Sequence, residues 1–169
     1  MNQIVNFVIN LFPNASGMLV KRLIVFIISL MPILELRGGL LAASILKLDP
    51  ISSYIICIIG NLLPVPFILI FINKIIEFLR KRKKFSKLVK WLDKKVDKNK
   101  DKIEKYGYLG LVLFVAVPLP GTGAWTGCLI ASVLEMNRKK SFLATCLGVF
   151  IASIIMMIIS YGIVGSIIK

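Results

Sequence analysis

The sequence predicts an all-α integral membrane protein built from two inverted repeats. Each repeat reads as a re-entrant helical hairpin followed by a transmembrane helix, and a basic amphipathic cytoplasmic helix joins the two. Three observations predict this. Hydrophobic residues make up 57% of the 169 residues, and the mean hydropathy of +0.87 is too high for a soluble domain. Apolar runs recur at 23–34, 51–73, 108–134 and 141–168, lengths that span or half-span a bilayer. Charge, finally, is concentrated: residues 74–105 hold fourteen basic and five acidic residues of a chain whose formal net charge is +14.

In chain order, residues 1–19 read as an N-terminal interfacial helix, too short to span, that ends near Pro13-Asn14. The first membrane repeat is expected over 20–73. Lys21 and Arg22 bound its first apolar run, which meets Met31-Pro32-Ile33-Leu34-Glu35-Leu36-Arg37-Gly38-Gly39 and stops at Lys47-Leu48-Asp49-Pro50. An apolar run carrying Glu35 and Arg37 is no signal-peptide core. The following segment carries Gly60-Asn61-Leu62-Leu63-Pro64-Val65-Pro66 in its middle, so a kink is expected there. Asn61 sits just before it, where freed carbonyls need donors.

The linker, 74–105, is cytoplasmic by the positive-inside rule. That rule accounts for the basic tract, so no nucleic-acid partner is expected. Phe85, Val89, Leu92, Val96, Asn99 and Ile103 alternate at spacings of four and three. Such a seam suits an amphipathic helix lying on anionic inner-leaflet headgroups, or a short helix pairing across a homodimer. Membrane lipids are the partners expected in either case.

The second repeat, 106–169, contains Pro118-Leu119-Pro120-Gly121-Thr122-Gly123-Ala124-Trp125-Thr126-Gly127 inside an apolar segment. Prolines remove amide donors and glycines favour helix-breaking conformations. Non-helical backbone at membrane depth persists only where protein or a polar cavity surrounds it. Sliding 24–72 onto 112–160 without gaps matches Phe26 with Phe114, Pro32 with Pro120, Gly39 with Gly127, Ser53 with Ser141 and Gly60 with Gly148. The matched residues are the structural punctuation of both halves, which points to an internal repeat. If each half is a hairpin plus one crossing helix, the crossing number is odd and the halves are inverted. Full but broken spans make them parallel instead, and the count of basic residues outside is the same for both.

Histidine is absent, and Cys57, Cys128 and Cys146 lie singly in apolar segments as packing residues. This excludes serine–histidine hydrolysis and ordinary zinc sites, so neither an enzyme nor a metal or other cofactor is expected. Glu35 and Arg37 are the charges deepest in apolar sequence, and a charge there is costly unless paired or hydrated. Two residues apart, they point to different sides of a helix; an extended or turn segment lets both face one cavity. The bland alternative is that both merely brace the hairpins. Gly121-Thr122-Gly123 stands before a helix beginning near Ala124, where free amides and the helix dipole attract anions. Arg37 adds a guanidinium suited to phosphate or carboxylate, and Trp125 offers an aromatic wall for a cation or packs as an ordinary residue.

Pro32-x-x-Glu35-x-Arg37-Gly38-Gly39, Gly60-Asn61-x-x-Pro64-Val65-Pro66 and the Pro118–Gly127 stretch together resemble the small multi-drug export protein family over roughly residues 20–165. More distantly, the layout is similar to the DedA/VTT membrane proteins. That likeness implies inverted re-entrant hairpins and movement of lipids, polyprenyl-phosphate carriers included. The chain departs from the arginine-rich second motif of those proteins, because Gly123 and Trp125 occupy the repeat positions of Glu35 and Arg37. The expectation is therefore a small polytopic transporter whose site lies near the midplane where the hairpin tips meet. It is read as moving a small amphiphile or lipid-phosphate-like substrate with proton coupling. Glu35, Arg37, Asn61, Gly121, Thr122, Gly123 and Trp125 are its candidate binding residues. A non-transporting membrane scaffold and an exporter of lipophilic cations are the alternatives.

Overall fold

The computed structural model describes residues 17–81, 86–119 and 121–164. Most of the interfacial helix expected over 1–19, and Pro120, lie outside the described residues. The chain forms α1 (Gly17–Leu30), α2 (Glu35–Ile45), α3 (Pro50–Leu62), α4 (Val65–Arg80), α5 (Ser86–Ala116), α6 (Ala124–Val133) and α7 (Arg138–Met157). A π-helical stretch, Ile158–Val164, continues α7. Among the described residues there is no strand. Two stretches, Pro50–Phe71 with 22 residues and Arg138–Gly162 with 25, are long and apolar enough to cross a membrane.

The breaks come from named residues. Pro32, with no amide proton, stands in the turn between α1 and α2, and the Glu35 amide reaches back to the Met31 carbonyl at 3.0 Å. Past Leu62, Pro64 interrupts the helix, and its carbonyl accepts from the Ile68 amide at 2.9 Å to start α4. The expected linker helix is helical on both sides of the undescribed residues 82–85, first as α4 and then as α5. Gly107, at φ 56 and ψ −132, kinks α5 where the polar tract meets apolar sequence.

Several local geometries recur 88 residues apart. The α2 helix ends with Leu48 N–H donating to Ala43 and Lys47 N–H to Ser44, both at 3.0 Å, and Lys47 adopts φ 54. The α6 helix ends in the same way, Met136 N–H on Ala131 at 2.9 Å and Glu135 N–H on Ser132 at 3.2 Å, with Glu135 at φ 52. This is the Schellman ending, carried here by Lys and Glu in place of the usual glycine. Asp49 then caps α3 by accepting from the Ser52 amide at 2.8 Å. Asn137 caps α7 by accepting from the Lys139 and Lys140 amides at 3.1 and 3.3 Å.

The residues divide into two compact units: 1–61 with 153–169, and 62–152. In the first unit α1 folds back on α2, and the π-helical stretch also packs on α2. The Ser44 hydroxyl donates to the Ser160 carbonyl, and the Tyr161 hydroxyl donates to the Leu48 carbonyl at 3.2 Å. In the second unit α6 packs on α4 and α5. Each unit thus combines one half's hairpin with the end of the other half's long helix.

Each unit is also closed by a pair of glycines on one residue. In the first, a Cβ on Gly39 would run into the Ser29 side chain and Cys57 Sγ; one on Gly60 would meet the Phe26 carbonyl and Ser29 Cβ. In the second, Gly127 faces Val115 and Leu111, and Gly148 faces the Val112 carbonyl and Val115 Cβ. Ser29 and Val115 are therefore counterparts, as are Phe26 and Val112, 86 residues apart rather than 88. This corrects the gap-free match before Glu35: Phe26 does not pair with Phe114, and Pro32 falls with Pro118 rather than Pro120. The reason is that Gly123 lies seven positions after Ala116, the end of α5, whereas Glu35 lies five after Leu30, the end of α1.

Candidate functional site

Glu35 opens α2 with φ 52 and is only 4% exposed. A non-glycine residue in the left-handed region costs roughly 1–2 kcal/mol, so the surrounding structure holds it there. Arg37, two residues on, is partly buried and within electrostatic range of Glu35. The helical spacing that would keep the two apart does not apply, because Glu35 itself is not in helical conformation. One turn past Glu35, Gly39 faces Ser29 and Cys57; one turn past Cys57 comes Asn61, 3% exposed. The Asn61 side-chain oxygen is buried and has no hydrogen-bond partner among the described residues. Ser29, at the junction of α1, α2 and α3, is fully buried and donates to the Val25 carbonyl at 2.8 Å.

In the second unit, Gly121 and Gly123 take φ 85 and φ 140 just before α6. The Thr122 hydroxyl is within donating distance of the Val117 and Leu119 carbonyls at 2.8 and 2.9 Å, and its amide donates to Leu119 at 3.2 Å. Thr122 therefore holds the turn together. Trp125 is half-buried in the first turn of α6. Cys57 and Cys128 are buried free thiols, the latter 3.6 Å from the Thr145 hydroxyl, and Cys146 is a partly buried one.

The sequence pattern described as "Putative small multi-drug export protein" matches residues 35–155, most of the chain. The chain belongs to this family. The match opens on Glu35 and takes in every helix from α2 to the greater part of α7. No curated protein and no solved structure matches, so the more distant DedA likeness has no counterpart among the findings. As a helical chain of an export family with two membrane-capable helices, this is a membrane transport protein.

Within this family member the two units share a scaffold but not its chemistry. Where the first has Ser29, Glu35, Arg37 and Asn61, the second has Val115, Gly123, Trp125 and Val149. Val115 and Val149 are both buried, and the glycine junction closes around Val115 as it does around Ser29. The packing thus does not need the polar residues. Sequence reading missed Ser29 and the hydroxyls beyond it, including Ser153 donating to Tyr54 at 2.9 Å. A serine inside an apolar run carries no signal of its partner; the faint one available was that Gly39 and Gly60 both needed a small neighbour.

Proposed function

We propose that the chain is a multi-pass transporter of the cell membrane that exports a small amphiphile in exchange for protons. Glu35 is the proton-responsive group and Arg37 its counter-charge. The supporting observation is the confinement of Ser29, Glu35 and Asn61 to one of two similarly packed units. Buried polar groups cost free energy in any membrane helix, and here the other unit closes without them. A role in folding alone leaves that difference unexplained; a proton- and substrate-binding role accounts for it. The Gly121 and Gly123 amides, Thr122 and Trp125 are proposed to line the substrate's path. The substrate proposed is lipid-phosphate-like or, alternatively, a lipophilic cation.

The membrane arrangement proposed is two inverted halves, each a re-entrant hairpin plus one crossing helix, with 74–105 cytoplasmic. Arg138 and Lys139 stand beside Leu69 and Ile70 of α4, about one turn before the basic tract begins at Lys74. That supports a common membrane face for Arg138–Lys140 and the linker, as inverted halves require.

Purified protein in liposomes under a pH gradient tests the reading, with tetraphenylphosphonium and a polyprenyl phosphate as substrates. Wild type is expected to move one of them in response to the gradient, and Glu35→Gln to abolish this while melting at an unchanged temperature. Movement of neither by folded wild type ends the transporter reading and leaves a membrane scaffold. Gradient-driven transport by a well-folded Glu35→Gln protein removes Glu35 from the mechanism.

A further inference from the structure

The second unit carries a two-part depression that the export site does not use. An apolar groove of about 340 Å³ lies where α4 meets the start of α7, lined by Leu69, Ile70, Phe142, Leu143, Arg138 and Lys139 among others. Its lining is almost wholly apolar, so the two basic residues present their methylene stems to it and keep their charged heads at its end. Adjoining it is a polar hollow of about 280 Å³ whose lining includes Leu69, Ser132, Glu135 and Arg138. Leu69 and Arg138 belong to both.

The rim says what medium the groove opens into. Ile70 is 45% and Leu143 67% exposed, and Arg138 begins the 25-residue apolar stretch long enough to cross a membrane. Side chains this apolar and this exposed are covered by lipid in a membrane protein, and Arg138 at the helix end belongs at headgroup level. Among the described residues, neither Arg138 nor Glu135 has an ion-pair partner. Lys140 is turned toward the Tyr108 ring, 5.8 Å from its centroid, and the first α7 amides are occupied by Asn137. Cationic recognition therefore falls to the Arg138 and Lys139 side chains, with one carboxylate, Glu135, held on a hydrogen-bonded helix ending beside them.

We infer that this depression binds a phospholipid whose head carries both a phosphate and a primary ammonium, the phosphoethanolamine class. One acyl chain lies in the apolar groove. The phosphate meets Arg138 and Lys139 in charge-assisted hydrogen bonds, and the ammonium donates to Glu135. A choline head has no N–H to donate, and a glycerol head has no cation for Glu135, so the hollow discriminates against both.

Native mass spectrometry of the purified protein, titrated with phosphatidylethanolamine, phosphatidylglycerol and phosphatidylcholine of identical chains, tests this. Phosphatidylethanolamine is expected to bind about tenfold tighter than the other two, the scale of one charged contact. Arg138→Gln with Lys139→Gln weakens all three lipids, because all carry the phosphate. Glu135→Gln lowers phosphatidylethanolamine to the level of phosphatidylglycerol. Leu143→Trp, which fills the groove, weakens all three lipids. Gln at Lys81, Lys83, Lys84 and Lys87 of the linker changes nothing. Equal binding of the three lipids, tighter phosphatidylglycerol, or unchanged affinities in the Arg138/Lys139 variant overturns the assignment. So does competition by glycerophosphoethanolamine as strong as by the full lipid, which means the groove holds no chain.

Discussion

Glu35 is a side chain kept in a backbone conformation that does not suit it. The residue 88 positions on, Gly123, also has a positive φ, but at φ 140 and ψ −174, an extended conformation open to glycine rather than the left-handed one Glu35 takes. Glu35 bears this strain while only 4% exposed. Replacing Glu35 by alanine and by glycine removes the same carboxylate but only glycine relaxes the backbone. Glu35→Gly is therefore expected to be about 1 kcal/mol more stable than Glu35→Ala in chemical unfolding of the purified proteins. An alanine variant as stable as the glycine variant shows that residue 35 is not held left-handed in the native protein. Neither variant is expected to retain proton-driven transport.

At the scale of elements, the glycine junctions set how closely the helices approach. A Cβ on Gly60 would lie 2.9 Å from the Phe26 carbonyl oxygen, and one on Gly148 would lie 2.8 Å from that of Val112. Both obstacles are backbone, which cannot rotate away as a side chain can. Gly60→Ala and Gly148→Ala should each lower stability by about 1–3 kcal/mol, the usual effect of overpacking. Gly17, with nothing within 4 Å of its would-be Cβ, is the control, and Gly17→Ala should melt with the wild type. Helix endings belong to this scale too. The Schellman endings and the Asp49 and Asn137 caps recur 88 residues apart in hydrogen-bond geometry even where residue identity differs, as between Lys47 and Glu135.

For the whole molecule the open question is which ends share a membrane face. Arg138 and Lys139 line one groove with α4 residues just before Lys74, so the proposed arrangement puts the two basic stretches on one side. In a background lacking Cys57, Cys128 and Cys146, cysteines at Ser86 and Asn137 should react with an impermeant maleimide from the same side. A cysteine at Ser52, at the far end of the 22-residue Pro50–Phe71 stretch, should react from the other. Labelling of positions 52 and 137 from one side discards the inverted arrangement in favour of broken full spans.

Composition and local pattern determined the membrane class, the helical breaks at Pro32, Pro64 and the Pro118–Gly127 stretch, and Glu35, Arg37 and Asn61 as polar residues worth attention. All of these follow from the identity of a residue and its nearest neighbours: a missing amide proton, a charge in an apolar run. Tertiary structure alone decided the left-handed backbone at Glu35, the meeting of Gly39 and Gly60 on Ser29, the two-residue shift between the first helices, and the turn-holding task of Thr122. Such features depend on what opposes a residue from 10 or 30 positions away, as Ser29 opposes Gly39 and Gly60. Helical periodicity tells which face a residue is on but not what lies across from it. The repeat was visible in its prolines and glycines because backbone geometry constrains those types. The polar difference at its glycine junctions was not, because only the packing shows that Ser29 and Val115 occupy equivalent buried places.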